Sequence, residues 1–98
     1  MSDGVGQVET RREVVFDGDH PLVLDSGAVL ERVEVAYETY GNLNDDGTNA
    51  VFVCHALSGD AHAAGHHGDP ARPGWWDTLI GPGKPLDTDR LFVICPNL

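Results

Sequence analysis

The sequence predicts an α/β fold in which an antiparallel hairpin is followed by the first buried strands of a mixed sheet. One observation is the alternation of apolar and polar residues in "AVLERVEVAYETYG", which is typical of an antiparallel strand with one solvent-exposed face. The other is a pair of uniformly apolar runs, "AVFVC" at residues 50–54 and "LFVIC" at residues 91–95. Such runs are expected where a strand is buried on both faces of a sheet.

The N-terminal half is predicted to hold the antiparallel part. Residues 1–11 are mostly polar and are expected to form a flexible arm. "REVVF" then predicts a short strand and "DGDHP" a turn. "LVL" and "AVLERVEVAYETYG" predict a hairpin whose turn is Asp25-Ser26-Gly27. In its second arm one face carries Val29, Val33, Val35 and Tyr37, and a solvent-exposed face carries Arg32, Glu34 and Glu38.

The C-terminal half follows the polar loop "GNLNDDGTN". Residues 55–90, between the two buried runs, are rich in Gly, Pro and His and contain one short helix candidate near "GWWDTLI". An α/β sheet needs helices to cover it, and this sequence has almost none. It also stops at "CPNL", just past a predicted strand. We therefore predict that residues 1–98 are an incomplete N-terminal portion of a single domain.

Charge and composition exclude several classes of partner. The 98 residues carry a net charge of -10, which repels nucleic-acid phosphates and anionic membrane surfaces. No run approaches the roughly 18 apolar residues of a membrane span. The start, "MSDGVGQVETRR", lacks the apolar segment of a secretory signal. A cytoplasmic location is therefore expected.

The two cysteines are not a disulfide scaffold. Cys54 and Cys95 are too few for one, and their spacing is not that of a CxxC redox pair. Both end apolar runs, so both are expected to be buried free thiols.

The stretch "CHALSGDAHAAGHHGD" concentrates histidines and raises the question of a metal site. His62 and His66 are spaced i, i+4, which on a helix would place two imidazoles on one face. Gly65, Gly68 and Pro70 disfavour that helix, and zinc needs three or four convergent ligands. We therefore predict no metal and regard His66 and His67 as part of a solvated polar loop. A small acidic domain with a histidine metal loop remains the alternative, which a zinc or nickel titration would test.

Nucleophilic catalysis by a serine of this chain is also weakly indicated. None of Ser2, Ser26 and Ser58 lies in a G-x-S-x-G elbow. Ser58 follows a predicted buried strand but lacks the preceding glycine and a following helix. Its simpler role is a loop hydroxyl that supports local backbone hydrogen bonds.

A third interpretation uses the backbone of this loop. The run "AVFVC" leads directly into "HALSG" at the carboxyl end of a strand, where open α/β sheets bind their ligands. Acyl-transfer enzymes of this architecture need two N–H groups aimed at the oxyanion, one of them from a loop that follows a strand. A small residue at Ala56 and a glycine at Gly59 would let this loop turn tightly enough to present an amide.

Two longer motifs then carry a family resemblance. "CHALSGDAH" and "GWWDTLIGPGKPLDTDRLFVICPN" resemble the homoserine O-acetyltransferase family of the α/β-hydrolase superfamily, which includes homoserine O-succinyltransferases. The likeness runs from about Tyr37 to the last residue, and the second motif is the more specific one. It implies that the chain is the N-terminal part of an α/β-hydrolase fold. The serine nucleophile, and the Asp and His that complete its triad, would all follow residue 98.

The resemblance also implies roles for residues of the loop. The backbone N–H of Leu57 would lie in the oxyanion hole, and His55 would shape the loop. His55, Ser58, Gly59 and Asp60 would bind substrate near the acyl pocket. The motif "GWWD" would be structural, with Trp75 and Trp76 packed over the sheet edge, and Asp87 and Asp89 are expected to be turn residues.

The implied activity is acyl transfer from acetyl-CoA to the hydroxyl of L-homoserine in methionine synthesis, by a ping-pong mechanism. Succinyl-CoA as donor and serine as acceptor are alternatives within the family, and an esterase of the same fold is another. No cofactor or metal is implied, because the acyl-CoA is a substrate. A homodimer is expected for the full-length enzyme, whereas residues 1–98 alone should be inactive.

Overall fold

The computed structural model describes residues 4–97, which form strands and turns with no helix in that range. The strands are β1 (Arg11–Phe16), β2 (Leu22–Val23), β3 (Val29–Leu30), β4 (Val33–Tyr40), β5 (Ala50–Phe52), β6 (Ile80–Gly81), β7 (Leu86–Asp87) and β8 (Phe92–Pro96). Four of them form the main sheet in the order β1-β4-β8-β5. The strand pairs β2-β3 and β6-β7 form two small sheets of their own.

The main sheet is mixed, as the sequence predicts. Strand β4 is antiparallel to both β1 and β8, whereas β5 is parallel to β8. The parallel pair consists of the two apolar runs that predicted buried strands. Residues 55–90 lie between them and supply the crossover that a parallel pair requires.

The predicted hairpin is only partly right. Its turn is confirmed: the N–H of Leu24 donates to the carbonyl of Ala28 at 2.8 Å, and Gly27 has a φ of 89°, which favours glycine. However, the second arm breaks after Leu30, and β4 pairs with β1 instead of continuing beside β2. The reason is that β4 finds a strand partner on each of its edges in the main sheet, which hydrogen-bonds far more of its backbone.

The alternation along β4 separates two faces of the sheet, but the solvent-exposed face was predicted wrongly at Glu38. Arg32 and Glu34 are exposed, whereas the side chain of Glu38 is completely buried. Glu38 shares its face with Tyr40, Val93 and Cys95, which form part of the core. From Glu38 to the end of β4, the face that carries Glu38 is therefore covered by other parts of the chain.

The opposite face is uncovered, and here the prediction of strands buried on both sides is wrong for the described chain. Phe52 is 61% exposed and lines an open apolar depression with Phe92 and Ile94. Cys54 is exposed as well, which corrects the prediction of a buried thiol, whereas Cys95 is confirmed as a buried free thiol. Nothing in residues 4–97 packs over this face, so apolar side chains that alternate toward it remain in solvent.

The covered face is closed by segments from both halves of the chain. Val5 and Val8 pack against the core, and the N–H of Val8 donates to the carbonyl of His66 at 2.9 Å. The described part of the predicted arm therefore has fixed neighbours, while residues 1–3 lie outside the described residues. That the arm is flexible stays a prediction.

The helix predicted near "GWWDTLI" is replaced by turns. The N–H groups of Gly74, Trp75 and Trp76 donate to the carbonyls of Gly65, His62 and Ala63, respectively. The first N–H groups of a helix have no acceptor within it, so these bonds would not by themselves exclude a helix. The N–H groups of Asp77 and Leu79 that follow donate to the carbonyls of Gly74 and Trp76, three residues back, as in turns. The bonds to Gly65, His62 and Ala63 fix residues 61–65 against residues 74–76.

Candidate active site: the turn after strand β5

A tight turn at residues 56–59 follows β5, and we call it the candidate oxyanion turn. The N–H of Gly59 donates to the carbonyl of Ala56 at 2.8 Å, which makes Leu57 the second residue of a four-residue turn. The side chain of Leu57 is fully exposed. Within residues 4–97 its N–H donates no hydrogen bond, so this donor is free to bind a ligand atom.

Small residues and His55 shape this turn. A Cβ built on Gly59 would lie 3.0 Å from Cβ of His55 and 3.2 Å from the carbonyl oxygen of Ala56, which is tighter than ordinary contact. A ring nitrogen of His55 lies 2.6 Å from the same carbonyl oxygen, to which it donates. The expectation that glycine permits a tight turn here therefore has a steric basis.

The turn opens onto a shallow cavity of about 280 Å³. Of the residues expected to bind substrate, Ser58, Gly59 and Asp60 line this cavity, whereas His55 does not. The remaining lining residues are His62, Pro73, Gly74 and Trp75. The structure therefore brings three of the four predicted residues to one concave surface, and their roles there stay predictions.

Ser58 has no activating partner in the described chain. It is exposed, and within residues 4–97 its hydroxyl makes no hydrogen bond to a histidine or a carboxylate. A serine nucleophile requires an adjacent base. Within residues 4–97 this hydroxyl also makes no hydrogen bond to the backbone, so the expected support of the local backbone is not observed.

Asp60 and Trp75 anchor the chain where it leaves the turn. The indole N–H of Trp75 donates to the carbonyl of Asp60 at 2.8 Å, and the carboxylate of Asp60 accepts from the N–H of His62 at 2.9 Å. The rings of Trp75 and Trp76 stack with centroids 5.5 Å apart. Trp75 and Trp76 are 42% and 36% exposed, so the expected packing over the sheet edge is not observed, and Trp75 holds the loop through its hydrogen bond instead.

Beneath this loop lies a buried carboxylate that sequence reasoning missed. Both oxygens of Glu38 accept two hydrogen bonds each: Oε1 from Tyr40 at 2.9 Å and His62 at 2.9 Å, and Oε2 from Thr10 at 2.8 Å and His67 at 2.6 Å. We call these five residues the Glu38 network. A carboxylate only accepts, so Nδ1 of His62 and Nε2 of His67 must each carry a proton.

The network keeps Glu38 ionised. Burial by itself raises the pKa of Glu38, but the hydrogen bonds from His62, Thr10, His67 and Tyr40 together lower it below its ordinary value of 4.5. Burial also raises the pKa of Tyr40, which therefore stays a neutral phenol. A buried charge that is fully hydrogen-bonded can be stable, whereas one that loses its partners is costly.

Tyr40 connects this carboxylate to the loop backbone. Its hydroxyl accepts hydrogen bonds from the N–H groups of Ala63 at 2.8 Å and Ala64 at 3.2 Å. Its own proton lies within reach of Glu38 Oε1 and of the carbonyl of Ala61, 3.0 Å away. One phenol thus fixes three consecutive peptide groups of the loop that follows the candidate oxyanion turn.

The histidine cluster differs from the one that the sequence suggested. The structure brings His62 together with His67 and Glu38, not with His66, and the rings of His62 and His67 stack 3.8 Å apart. His67 is exposed, as predicted for a solvated loop, but its ring also donates to the buried carboxylate of Glu38, a contact that the sequence did not predict. Sequence reasoning paired residues by helical spacing, and no helix forms here. The missed signal was Tyr40, which has the same strand parity as Glu38 and indicates a buried face.

Glu38, His62 and His67 have the chemistry of metal ligands, and one ligand atom from each lies within 4.8 Å of the others. The distances of 2.6 and 2.9 Å from the ring nitrogens to the carboxylate oxygens are those of hydrogen bonds. Thr10 and Tyr40 occupy the remaining acceptor positions of the carboxylate. In this arrangement the two histidines donate hydrogen bonds to the carboxylate of Glu38.

Cys95 lies beside the network but is poorly suited to be a nucleophile. Its thiol is buried within 3.8 Å of the carbonyl of Asp60. Burial, together with the charges of Glu38 and Asp60, raises the pKa of Cys95 to about 11. The reactive form of cysteine is the thiolate, so this side chain is inert at neutral pH.

Comparisons with known proteins agree with the predicted resemblance. The chain is 69% identical over 78 residues to a homoserine O-acetyltransferase of Methanosphaerula palustris. The aligned segment covers 80% of this chain and 16% of that protein. It is 60% identical over 98 residues to a homoserine O-succinyltransferase of Nocardioides sp., covering 100% of this chain and 27% of that protein. No family model matches the chain.

Solved structures share the fold. The homoserine O-acetyltransferase from Bacillus anthracis superimposes with a TM-score of 0.81 at 37% identity, covering 93% of this chain and 23% of that one. Esterase E22 superimposes with a TM-score of 0.81 at 40% identity, covering 93% of this chain and 24% of that one. The resemblance to homoserine O-acyltransferases and the α/β-hydrolase fold class are thereby confirmed. The chain spans about a quarter or less of the length of these relatives.

Proposed function

We propose that the protein carrying this chain is a homoserine O-acetyltransferase, which transfers an acetyl group from acetyl-CoA to the hydroxyl of L-homoserine. The observation that carries the proposal is the free N–H of Leu57 in a tight turn at the carboxyl end of β5, in a chain 55–69% identical to proteins named homoserine O-acetyl- or O-succinyltransferase. The activity belongs to the whole protein, of which these residues supply one side of the site.

The reaction proceeds in two acyl transfers. A serine outside residues 1–98 attacks the thioester carbonyl, and the tetrahedral oxyanion accepts the hydrogen bond that Leu57 donates. The C–S bond then breaks, and CoA leaves as the thiol with the proton that the serine gave up. The hydroxyl of homoserine attacks the acyl-serine ester, and its proton returns to the serine as O-acyl-homoserine leaves.

The role of Leu57 can be tested by removing its N–H. Leu57 occupies the second position of its turn, where proline is favoured, so Leu57→Pro deletes the donor and keeps the turn. We expect kcat of the intact protein to fall about 10²- to 10³-fold, which is typical for loss of one oxyanion donor. Leu57→Ala is the matched control and should leave kcat nearly unchanged, because the side chain is in solvent. Equal activity of Leu57→Pro and Leu57→Ala would contradict the proposal.

The donor and acceptor follow from the same assay. CoA thiol release is measured with acetyl-CoA or succinyl-CoA, in the presence of homoserine, of serine or of neither. We expect the fastest release with acetyl-CoA and homoserine; faster release with succinyl-CoA or with serine would assign the alternative substrate. The coding sequence after Leu98 gives an independent check, since a G-x-S-x-G elbow is expected there.

Ester hydrolysis is the second candidate, and the fold shared with esterase E22 favours it. Water would then replace homoserine as the acceptor. Thiol release that is independent of homoserine, together with cleavage of simple acetyl esters, would support this candidate. Homoserine-dependent release supports the transferase.

Location and assembly complete the proposal. No helix within residues 4–97 is long and apolar enough to cross a membrane. We propose a cytoplasmic enzyme that forms a homodimer and binds neither nucleic acid nor membranes, without a metal or other cofactor. Sedimentation of the intact protein tests the dimer, and full activity after exhaustive chelation tests the independence from metal.

A further inference from the structure

We propose that Glu38 is a positioning residue, a buried carboxylate that acts through Tyr40 and His62. It holds the candidate oxyanion turn in the position in which the N–H of Leu57 can bind the oxyanion. The inference rests on the proposed function, because it names the support of the same donor. Glu38 touches neither the turn nor the cavity directly.

The candidate oxyanion turn is weakly held by itself. Its one internal hydrogen bond joins Gly59 to Ala56, and Leu57 and Ser58 are exposed. Its position in space is therefore set by the two ends. One end is β5, whose extension bonds through the N–H of Val53 to the carbonyl of Ile94 at 2.8 Å.

The other end of the candidate oxyanion turn is held by the Glu38 network. Directly after the turn, Asp60 accepts from the N–H of His62, and Ala61, Ala63 and Ala64 are within hydrogen-bond distance of the Tyr40 hydroxyl. Both His62 and Tyr40 bond to the same oxygen, Oε1 of Glu38. One carboxylate oxygen thus fixes a ring and a phenol that together control residues 60–64.

The hydrogen bonds to Glu38 are complete, and one ring nitrogen of His62 remains outside them. Each Glu38 oxygen has two donors, and no buried side-chain nitrogen or oxygen of the described chain lacks a partner. His62 uses Nδ1 for Glu38 and lines the cavity beside Ser58. Its Nε2 makes no hydrogen bond within residues 4–97, so the network also fixes the orientation of a polar group at the cavity.

The experiment is a double-mutant cycle between Glu38→Gln and Leu57→Pro in the intact protein. Glutamine keeps the shape of Glu38 but has one acceptor oxygen, so it cannot satisfy all four donors. We expect Glu38→Gln to lower kcat about 10- to 100-fold with KM little changed, because a misplacement of about 1 Å costs about 10²-fold. In the Leu57→Pro background it should lower kcat no further, since the donor that it positions is gone.

Tyr40→Phe provides a second variant if Glu38→Gln does not fold, because it removes only the hydroxyl that holds Ala63 and Ala64. It should show the same loss of kcat and the same lack of additivity. Glu34→Gln is the matched control: it makes the same chemical change on an exposed residue of the same strand, outside the Glu38 network, and kcat should stay within about twofold. The 10- to 100-fold figures correspond to about 1.4–2.7 kcal/mol of transition-state stabilisation.

The outcomes separate the two proposals. If Leu57→Pro by itself leaves kcat unchanged, the proposed oxyanion donor is wrong. If Leu57→Pro lowers kcat but the effects of Glu38→Gln multiply with it, Glu38 has only a general structural role and the inference is wrong. If the intact protein binds zinc at micromolar concentration with a shift of the His62 and His67 resonances, and chelation lowers kcat, the cluster is a metal site and the inference is again wrong.

Discussion

The two faces of the main sheet differ in how completely the chain covers them. On one face, Glu38 and Tyr40 meet a loop and an N-terminal segment, and every buried side-chain nitrogen and oxygen of the described residues has a hydrogen-bond partner. On the other, Phe52 and its apolar neighbours stand in solvent. Both faces belong to the same strands and alternate residue by residue. The difference teaches that these residues complete the polar support of the candidate site but not the hydrophobic core of the domain.

Removal of the Glu38 carboxylate should have the largest effect on the covered face. Glu38→Ala leaves two histidines, a tyrosine and a threonine without the acceptor of their hydrogen bonds. We expect the intact protein to lose about 3–5 kcal/mol of unfolding free energy, as for other broken buried pairs. Glu34→Ala, on the same strand and paired with arginines only at the surface, should cost at most about 1 kcal/mol. Denaturant unfolding measures both. Equal losses would show that the two glutamates are equivalent and that the covered face is not special.

The open face is tested by Phe52→Ala. Because the relatives are several times longer than this chain, we expect the intact protein to cover Phe52, and truncation of a buried Phe costs about 3–5 kcal/mol. Val23→Ala, in the exposed small hairpin, is the control and should change stability by less than about 0.5 kcal/mol. A Phe52→Ala loss as small as that of Val23→Ala would mean that this face is a true protein surface.

A smaller effect is expected where two loop segments approach each other at Gly74. A Cβ there would lie 2.3 Å from the backbone of Ala63 and Ala64, which cannot move without disturbing the hydroxyl of Tyr40. Gly74→Ala should therefore cost about 1–3 kcal/mol, the range for overpacking. Gly18 has open space around it, so Gly18→Ala is the matched control and should be close to neutral. Thermal unfolding of the two variants checks the difference, which vanishes if the segments are not in contact.

The smallest effect is the dependence of stability on pH. The pKa of Glu38 is lowered on folding, so its ionisation stabilises the folded state above pH 4.5, and this contribution disappears as the pH falls through the folded pKa. The unfolding free energy of the unmodified protein should fall more steeply below pH 4.5 than that of Glu38→Gln, which has no carboxylate to titrate. Parallel curves would contradict the assigned ionisation. All other acidic groups are shared by the two proteins and cancel in the difference.

Much of the fold and part of the site could be predicted from the sequence. The two apolar runs predicted two strands of the main sheet, which the structure pairs in parallel, and "HALSG" at the end of one of them predicted a tight turn with a usable amide. Gly59 was correctly expected to permit that turn, for a steric reason that the structure supplies. The predictions failed at Glu38, at Cys54, at "GWWDTLI" and for the strands expected to be buried on both faces. At Glu38, distant segments supply hydrogen-bond partners that no local pattern reveals, and at Cys54 and Phe52 no described residue covers the sheet face.

By itself the sequence determined the strands, the mixed character of the sheet, the family resemblance and the location of the candidate oxyanion turn, because periodicity, turn residues and motifs are local properties of the chain. Only the tertiary structure decided that Glu38 is buried, that the ring of His62 stacks on that of His67, and that the turn rests on the phenol of Tyr40 and the carboxylate of Glu38, which precede Leu57 by 17 and 19 residues. A charged residue on a strand with alternating apolar and polar residues is predicted to be exposed unless its hydrogen-bond partners are known. Apart from Tyr40 on the same strand, its partners here are Thr10, His62 and His67, and only folding brings them within 3 Å of one carboxylate.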